Sequence, residues 1–438
     1  MKSTSHSGLI RGIRRWDLVA LIINGTIGAG IFGLPAKIYS LTNTYSLVAF
    51  LVCAIVICFI IFCFAEVSSR FTETGGPYLY ARKAFGPFIG FEIAWLAWLT
   101  RITAFATICN LLVNYLAFFL PEASSEFWRT IIVTGIIVLL TIINILGVRE
   151  TAIVSNIFTI GKLTPLILFI LVGIFFINFE NYSFEVSPDY SSFSIAVMLL
   201  VFAFTGFEAS TITAGEVKDP RKNFPFALFM ALGVVVMLYV LIQFVCIGTL
   251  PALANSERPL TDASFRFLGR AGASIISIGA LISMSGALNS AMLASTRLPF
   301  ALAEQGQLPK ILSATHSRFH TPYLSILLSS AAILTISLSY TFMSALTITT
   351  ITRLIIYIAT CGGLLALRRN SKEREAIFKI PAGTFVSITA LLLCVWLLSS
   401  SAWREVRDVT IVIAAGLIFY FIYSSIKKKS RSGEQKIH

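Results

Sequence analysis

The chain has 438 residues, 56% of them hydrophobic and only 13% charged, with a formal net charge of +13 and a mean hydropathy of +0.84. A soluble domain carries roughly 25% charged residues, so the composition excludes an ordinary globular enzyme. The charges lie in short islands between apolar runs of about 20 residues, the length a helix needs to cross a bilayer, which points to an all-α membrane protein.

The first sixteen residues are basic and polar and lead straight into an apolar run, with no cleavable signal peptide before it. Run length and periodicity predict twelve transmembrane helices, at 17–39, 44–69, 86–119, 127–147, 152–178, 190–215, 223–249, 271–304, 322–340, 343–367, 381–402 and 409–426. The longest hydrophilic loops, around 70–86, 305–321 and 368–380, leave no room for a nucleotide-binding domain. No glycine-rich phosphate loop ending in Gly-Lys-Ser/Thr occurs, so an ATP-driven pump is not expected. Cys53, Cys58, Cys63, Cys109 and Cys246 lie inside apolar runs without metal-ligand spacing and read as small packing residues. No cofactor is expected.

With the N-terminus placed in the cytoplasm, 24 of the 34 Lys and Arg residues fall on cytoplasmic segments and six outside. The remaining four, Lys37, Arg101, Lys162 and Arg353, lie inside predicted helices. This bias sets both termini in the cytoplasm of a cell-membrane protein. The basic surplus is then a topology signal and needs no nucleic acid, although the run Lys427 to Lys429 suits anionic membrane lipid.

Two helices look interrupted. The first reads Asn24-Gly25-Thr26-Ile27-Gly28-Ala29-Gly30-Ile31-Phe32, with three glycines in six residues. Such a cluster serves either close packing through small residues or an unwound stretch, which is tolerated at membrane depth only where it lines a cavity; its density favours unwinding. The sixth reads Phe202-Ala203-Phe204-Thr205-Gly206-Phe207-Glu208, again with a glycine in mid-span. The two lie five helices apart, so as first helices of two halves they would sit in opposite orientations. Interruptions at matching positions of inverted halves mark a transporter's central site. Half-helix N-termini suit a substrate carboxylate, and unwound carbonyls suit an ammonium, so the expected solute is an amino acid.

The stretches GTIGAGIFGLPA, AEVSSRFTETGGPYLYARKAFG, FAFTGFEASTITAGEVKDPRKNFP and NSAMLASTRLPFALAEQGQLP resemble the amino acid–polyamine–organocation superfamily. The resemblance implies a five-plus-five inverted repeat with discontinuous first and sixth helices, two extra helices, and alternating access. On this chain that gives a tail at 1–16, a ten-helix core at 17–368, and a final pair of helices with a basic tail at 369–438. It also implies that the substrate carboxylate meets the N–H groups of Ala29 and Gly30 and that the ammonium meets carbonyls near Thr26, Phe202 and Thr205. Phe202 falls where relatives often carry an aromatic gate, and Ala291 where some carry a bulkier residue.

Charged residues inside the membrane are functional candidates. Glu66 and Glu73, the Gly75-Gly76-Pro77-Tyr78 turn, and Arg82 and Lys83 look like either an inner gate or a solvated loop. Arg101 cannot shed its proton, so it needs an anion: an ion pair with Glu208 is favoured over an acidic group on the substrate, and Arg353 competes for the same carboxylate. Lys162, about 15 Å into the fifth helix, occupies a region where proton-coupled relatives carry a lysine in place of sodium. It would lie against carbonyls near Gly25 and the polar groups of Asn289 and Ser290, either as a proton carrier or as a fixed tether. Glu208 either couples protons or holds the break. The sequence thus predicts a proton-coupled amino-acid symporter, with an exchanger as the near alternative and a transport-inactive sensor or a membrane enzyme as more distant ones.

Overall fold

The computed structural model describes residues 13–71, 75–147, 152–210, 217–369 and 375–434. Among these the regular elements are helices, joined by short turns and an isolated bridge between Ile13 and Val217. The first predicted helix is two: α1 (Arg15–Thr26) and α2 (Ala29–Thr42), separated at Ile27 and Gly28 by non-helical backbone. The sixth is likewise α8 (Tyr190–Phe204) and the short α9 (Phe207–Ser210), with Gly206 at φ +115° between them.

The other helices are α3 (Ser46–Ser68), α4 (Gly76–Phe85), α5 (Pro87–Leu116), α6 (Glu126–Leu146), α7 (Ala152–Gly173), α10 (Pro220–Thr249), α11 (Pro259–Glu304), α12 (Tyr323–Ser339), α13 (Phe342–Arg369), α14 (Gly383–Ser399) and α15 (Trp403–Glu434). Pro87, Pro220 and Pro259 open α5, α10 and α11, where the missing N–H has no intrahelical partner to lose. Gly147 ends α6 in the left-handed conformation.

Two departures from the predicted helices have local causes. The loop expected around 70–86 contains α4, which turns its Leu79, Tyr80 and Ala81 inward and puts Arg82 and Lys83 in its last turn, where cations meet the negative helix end. The helix expected from 271 begins at Pro259 and is kinked at Gly269, φ +62°.

By length and apolar content, six stretches among the described residues can cross a membrane, or seven if α14 and α15, bent by 116°, count as one. Of the interrupted helices, α2 is counted within the stretch Ala29–Ser68, and α8 is a shorter apolar helix. In the core, α5 packs against α11 and α13, and α2 packs against α8.

The two breaks meet each other. A Cβ on Gly206 would stand 2.3 Å from the Gly25 carbonyl oxygen, and one on Gly30 would stand 2.6 Å from Ala203 Cα. Gly30 therefore serves close packing while Gly28, with nothing within 4 Å of its would-be Cβ, faces open space. Both readings of the glycine cluster hold, at different glycines. Gly206→Ala combines that clash with a left-handed φ and should cost at least about 1–3 kcal/mol. Thermal melts of purified protein should show a clear drop for Gly206→Ala and a much smaller one for Gly28→Ala; equal drops would mean that the contact between the breaks is unimportant.

Candidate functional site

A cavity of about 320 Å³ lies beside the two breaks. Asn24, Gly25, Ile27 and Gly28 line it at the first break, Gly206 and Glu208 at the second, and Ser283, Gly286, Ala287, Ser290 and Ala291 from α11. Its wall extends to Gly75, Pro77 and Tyr78 at the start of α4 and to Leu298 on α11. A second cavity of about 380 Å³, lined by Gly33, Lys37, Asn110, Arg129 and Glu257, lies farther along α2 and α5. Between the two, Tyr115 donates to the Phe32 carbonyl (2.8 Å), and the space beside Gly33 is filled by Phe342 and Leu111.

Lys162, Glu208, Arg101 and Ala291 all line the first cavity. Thr26, Ala29, Gly30, Phe202 and Thr205 are buried beside it without lining it. The N-cap of α2, Gly28, lines the cavity and offers no side-chain cap, so the first-turn N–H groups, those of Ala29 and Gly30 among them, have no side-chain acceptor at the cap. Two of the carbonyls expected for the ammonium are engaged from within the fold. The Tyr239 hydroxyl stands 3.1 Å from the Thr26 oxygen and 3.0 Å from that of Ala203, and the Phe202 oxygen accepts from the Thr205 hydroxyl at 2.7 Å. Phe202 itself packs into the core in this conformation.

Sequence reasoning missed two oxygens here. Asn24 Oδ1 and Ser283 Oγ belong to residues that line the cavity, and neither has a hydrogen-bond partner among the described residues. Asn24 directly precedes the glycine cluster, which was the available signal; nothing in the sequence singled out Ser283 from the other serines of its helix.

Lys162 reaches from α7 to the end of α1. Its ammonium donates to the carbonyls of Asn24 and Ile27, the latter at 2.9 Å. These carbonyls are at the negative end of the half-helix dipole, so a cation is favoured there.

Glu208 pairs with Arg353 of α13, not with Arg101 as the sequence favoured. It also accepts from the Tyr357 hydroxyl (3.2 Å) and from the Gly206 N–H (2.9 Å), which ties the carboxylate back to its own break. The register of α5 against α13 brings both arginines to the cavity. Thr100 and Thr352 hydrogen-bond across the helix seam (2.9 Å), so that Arg101 and Arg353, one residue on in each helix, both line the cavity.

The expected inner gate is also rearranged. Glu66 is fully buried and accepts from Arg368 (2.7 Å from Nε), from Arg70 (3.4 Å) and from the Ile380 N–H (2.9 Å), with no bond to Arg82 or Lys83 among the described residues. Arg82 instead donates to the Tyr78 hydroxyl (3.1 Å), and that hydroxyl lies 2.5 Å from Gln305 Oε1. Glu73 is outside the described residues.

Residues 13–423 match the family described as amino acid permease. The chain is 27% identical to a methylthioribose transporter of Bacillus subtilis, covering 96% of this chain and 95% of that protein. It is 27% identical to the serine/threonine exchanger SteT of the same organism, over 98% and 100% of the two chains. It is also 27% identical to the b(0,+)-type amino acid transporter 1 of Rattus norvegicus, over 96% and 88%.

The Glu208–Arg353 pair is testable by a double-mutant cycle. Either Glu208→Gln or Arg353→Gln leaves an uncompensated charge, worth about 1–3 kcal/mol at this partly hydrated site, less than the ~3–5 kcal/mol of a dry pair. The double substitution should melt above the worse single one. Strict additivity of the two losses would mean that the pair contributes no coupling.

Proposed function

Since the chain belongs to the amino acid permease family, we propose that it carries amino acids across the cytoplasmic membrane as a proton-coupled symporter that works by alternating access. The observation that carries this reading is the cavity at the meeting of the two breaks, with the uncapped start of α2 on it and Lys162 closing the end of α1. Its volume is at the lower end of the range for small-molecule sites, roughly 300–1,000 Å³.

In this reading the substrate α-carboxylate docks at the N–H groups of Ala29 and Gly30, and open space beside Gly28 gives it room. The ammonium meets the oxygens around Thr26, Phe202 and Thr205, joined by Asn24 Oδ1 and Ser283 Oγ, which are short of donors. Lys162 carries the coupled proton. When neutral it releases its hold on the Asn24 and Ile27 carbonyls, so its protonation and the geometry of the first break change together. Glu208 holds the second break and takes part in coupling through Arg353 and Tyr357.

The chain would span the membrane twelve times as a five-plus-five inverted repeat with two extra helices, the core running over 17–368. The bias of Lys and Arg supports both termini in the cytoplasm. Exchange is the second reading, favoured by the similarity to a serine/threonine exchanger.

Purified protein in liposomes should accumulate an amino acid when an inward proton gradient is imposed, and Lys162→Ala should reduce that accumulation to background. Uptake that ignores pH but requires internal amino acid would replace symport with exchange. Near-normal accumulation by Lys162→Ala would remove this lysine from the coupling.

A further inference from the structure

Four charged side chains line the central cavity among the described residues: Arg101, Lys162, Glu208 and Arg353. Three are basic and one is acidic. Glu208 is held by Arg353, and Lys162 by two carbonyls at a helix end. Arg101 has neither an ion pair nor a hydrogen bond among the described residues.

A guanidinium keeps its charge at any physiological pH and presents donors in a planar fork that fits a carboxylate. The fold also holds Arg101 in place. The Thr100–Thr352 bond and a second one between Thr349 and Thr103 (2.8 Å) lock α5 to α13 on either side of it, and Arg353, already engaged, stands nearby as a second cation. A cavity wall with three cations to one anion favours an occupant that brings a negative charge.

We infer that the substrate is an amino acid with an acidic side chain and that Arg101 receives the side-chain carboxylate. This rests on the reading of the cavity as the amino-acid site. The α-carboxylate is held by backbone at the start of α2, common to all amino acids, and the second carboxylate by Arg101, which selects among them. The two anionic positions are supplied by different elements, so the second can be removed without touching the first.

The test compares isosteric pairs in proteoliposome uptake: L-glutamate against L-glutamine and L-aspartate against L-asparagine, with L-alanine and L-leucine as small and apolar controls. A charge-assisted bond should make the acid of at least one pair the stronger competitor by roughly ten- to a hundredfold over its amide. Arg101→Gln should bring that ratio to about one, and Arg101→Lys should retain part of it. Thermal melts of the unliganded variants check that they are folded; should Arg101→Gln fail to fold, the wild-type acid-to-amide ratio decides alone. Uptake of neutral amino acids with no advantage for either acid would overturn the acidic-substrate inference and leave amino-acid transport standing. Failure of every amino acid to be taken up or to shift the melting temperature would overturn the transport reading itself.

Discussion

The site depends on one steric fact: the carbonyl of Gly25 and the backbone of Gly206 touch where any side chain would collide. Gly206 lies in the second break and Gly25 in the last turn of α1 just before the first, so the two irregular segments lie against one another. A break at membrane depth leaves backbone groups that lipid cannot satisfy. Here the fold supplies the partners itself: Lys162 for the carbonyls of Asn24 and Ile27, the Thr205 hydroxyl for Phe202, and Glu208 for the N–H of Gly206. The groups left over, at the start of α2 and on Asn24 and Ser283, are those beside the cavity. The cavity thus lies beside groups that the fold leaves without a partner among the described residues.

The chain's local signals made the breaks legible. Glycine spacing located both interruptions, and the depth of Lys162 in its helix marked it before its partners were known. The pairing of Glu208 was not legible, because Arg101 and Arg353 stand more than 250 positions apart in sequence yet both reach the same cavity. Glu66 was misread for the same reason. Its neighbours in sequence suggested a gate with Arg82, whereas its bonds run to Arg368 and Ile380, over 300 positions away. The helix α4 was missed because a ten-residue amphipathic segment rich in charge resembles a loop when the surrounding signal is long apolar runs.

The two carboxylates do different work. Glu66 joins α3, α13 and the approach to α14 in a buried cluster with two arginines. Glu208 joins a break to α13 at the cavity wall, where both partners are partly exposed. The first suits a scaffold, and the second suits a part that changes during a cycle.

Tyr239 adds a constraint of its own. Its ring is wedged between Phe50 and Phe204, and its hydroxyl stands almost equally close to the carbonyls of Thr26 and Ala203, one on each interrupted helix. A hydroxyl has one proton to donate, so a single O–H serves two carbonyls on two different interrupted helices. Any rearrangement that draws one break away from the other must also release this ring from its place between Phe50 and Phe204.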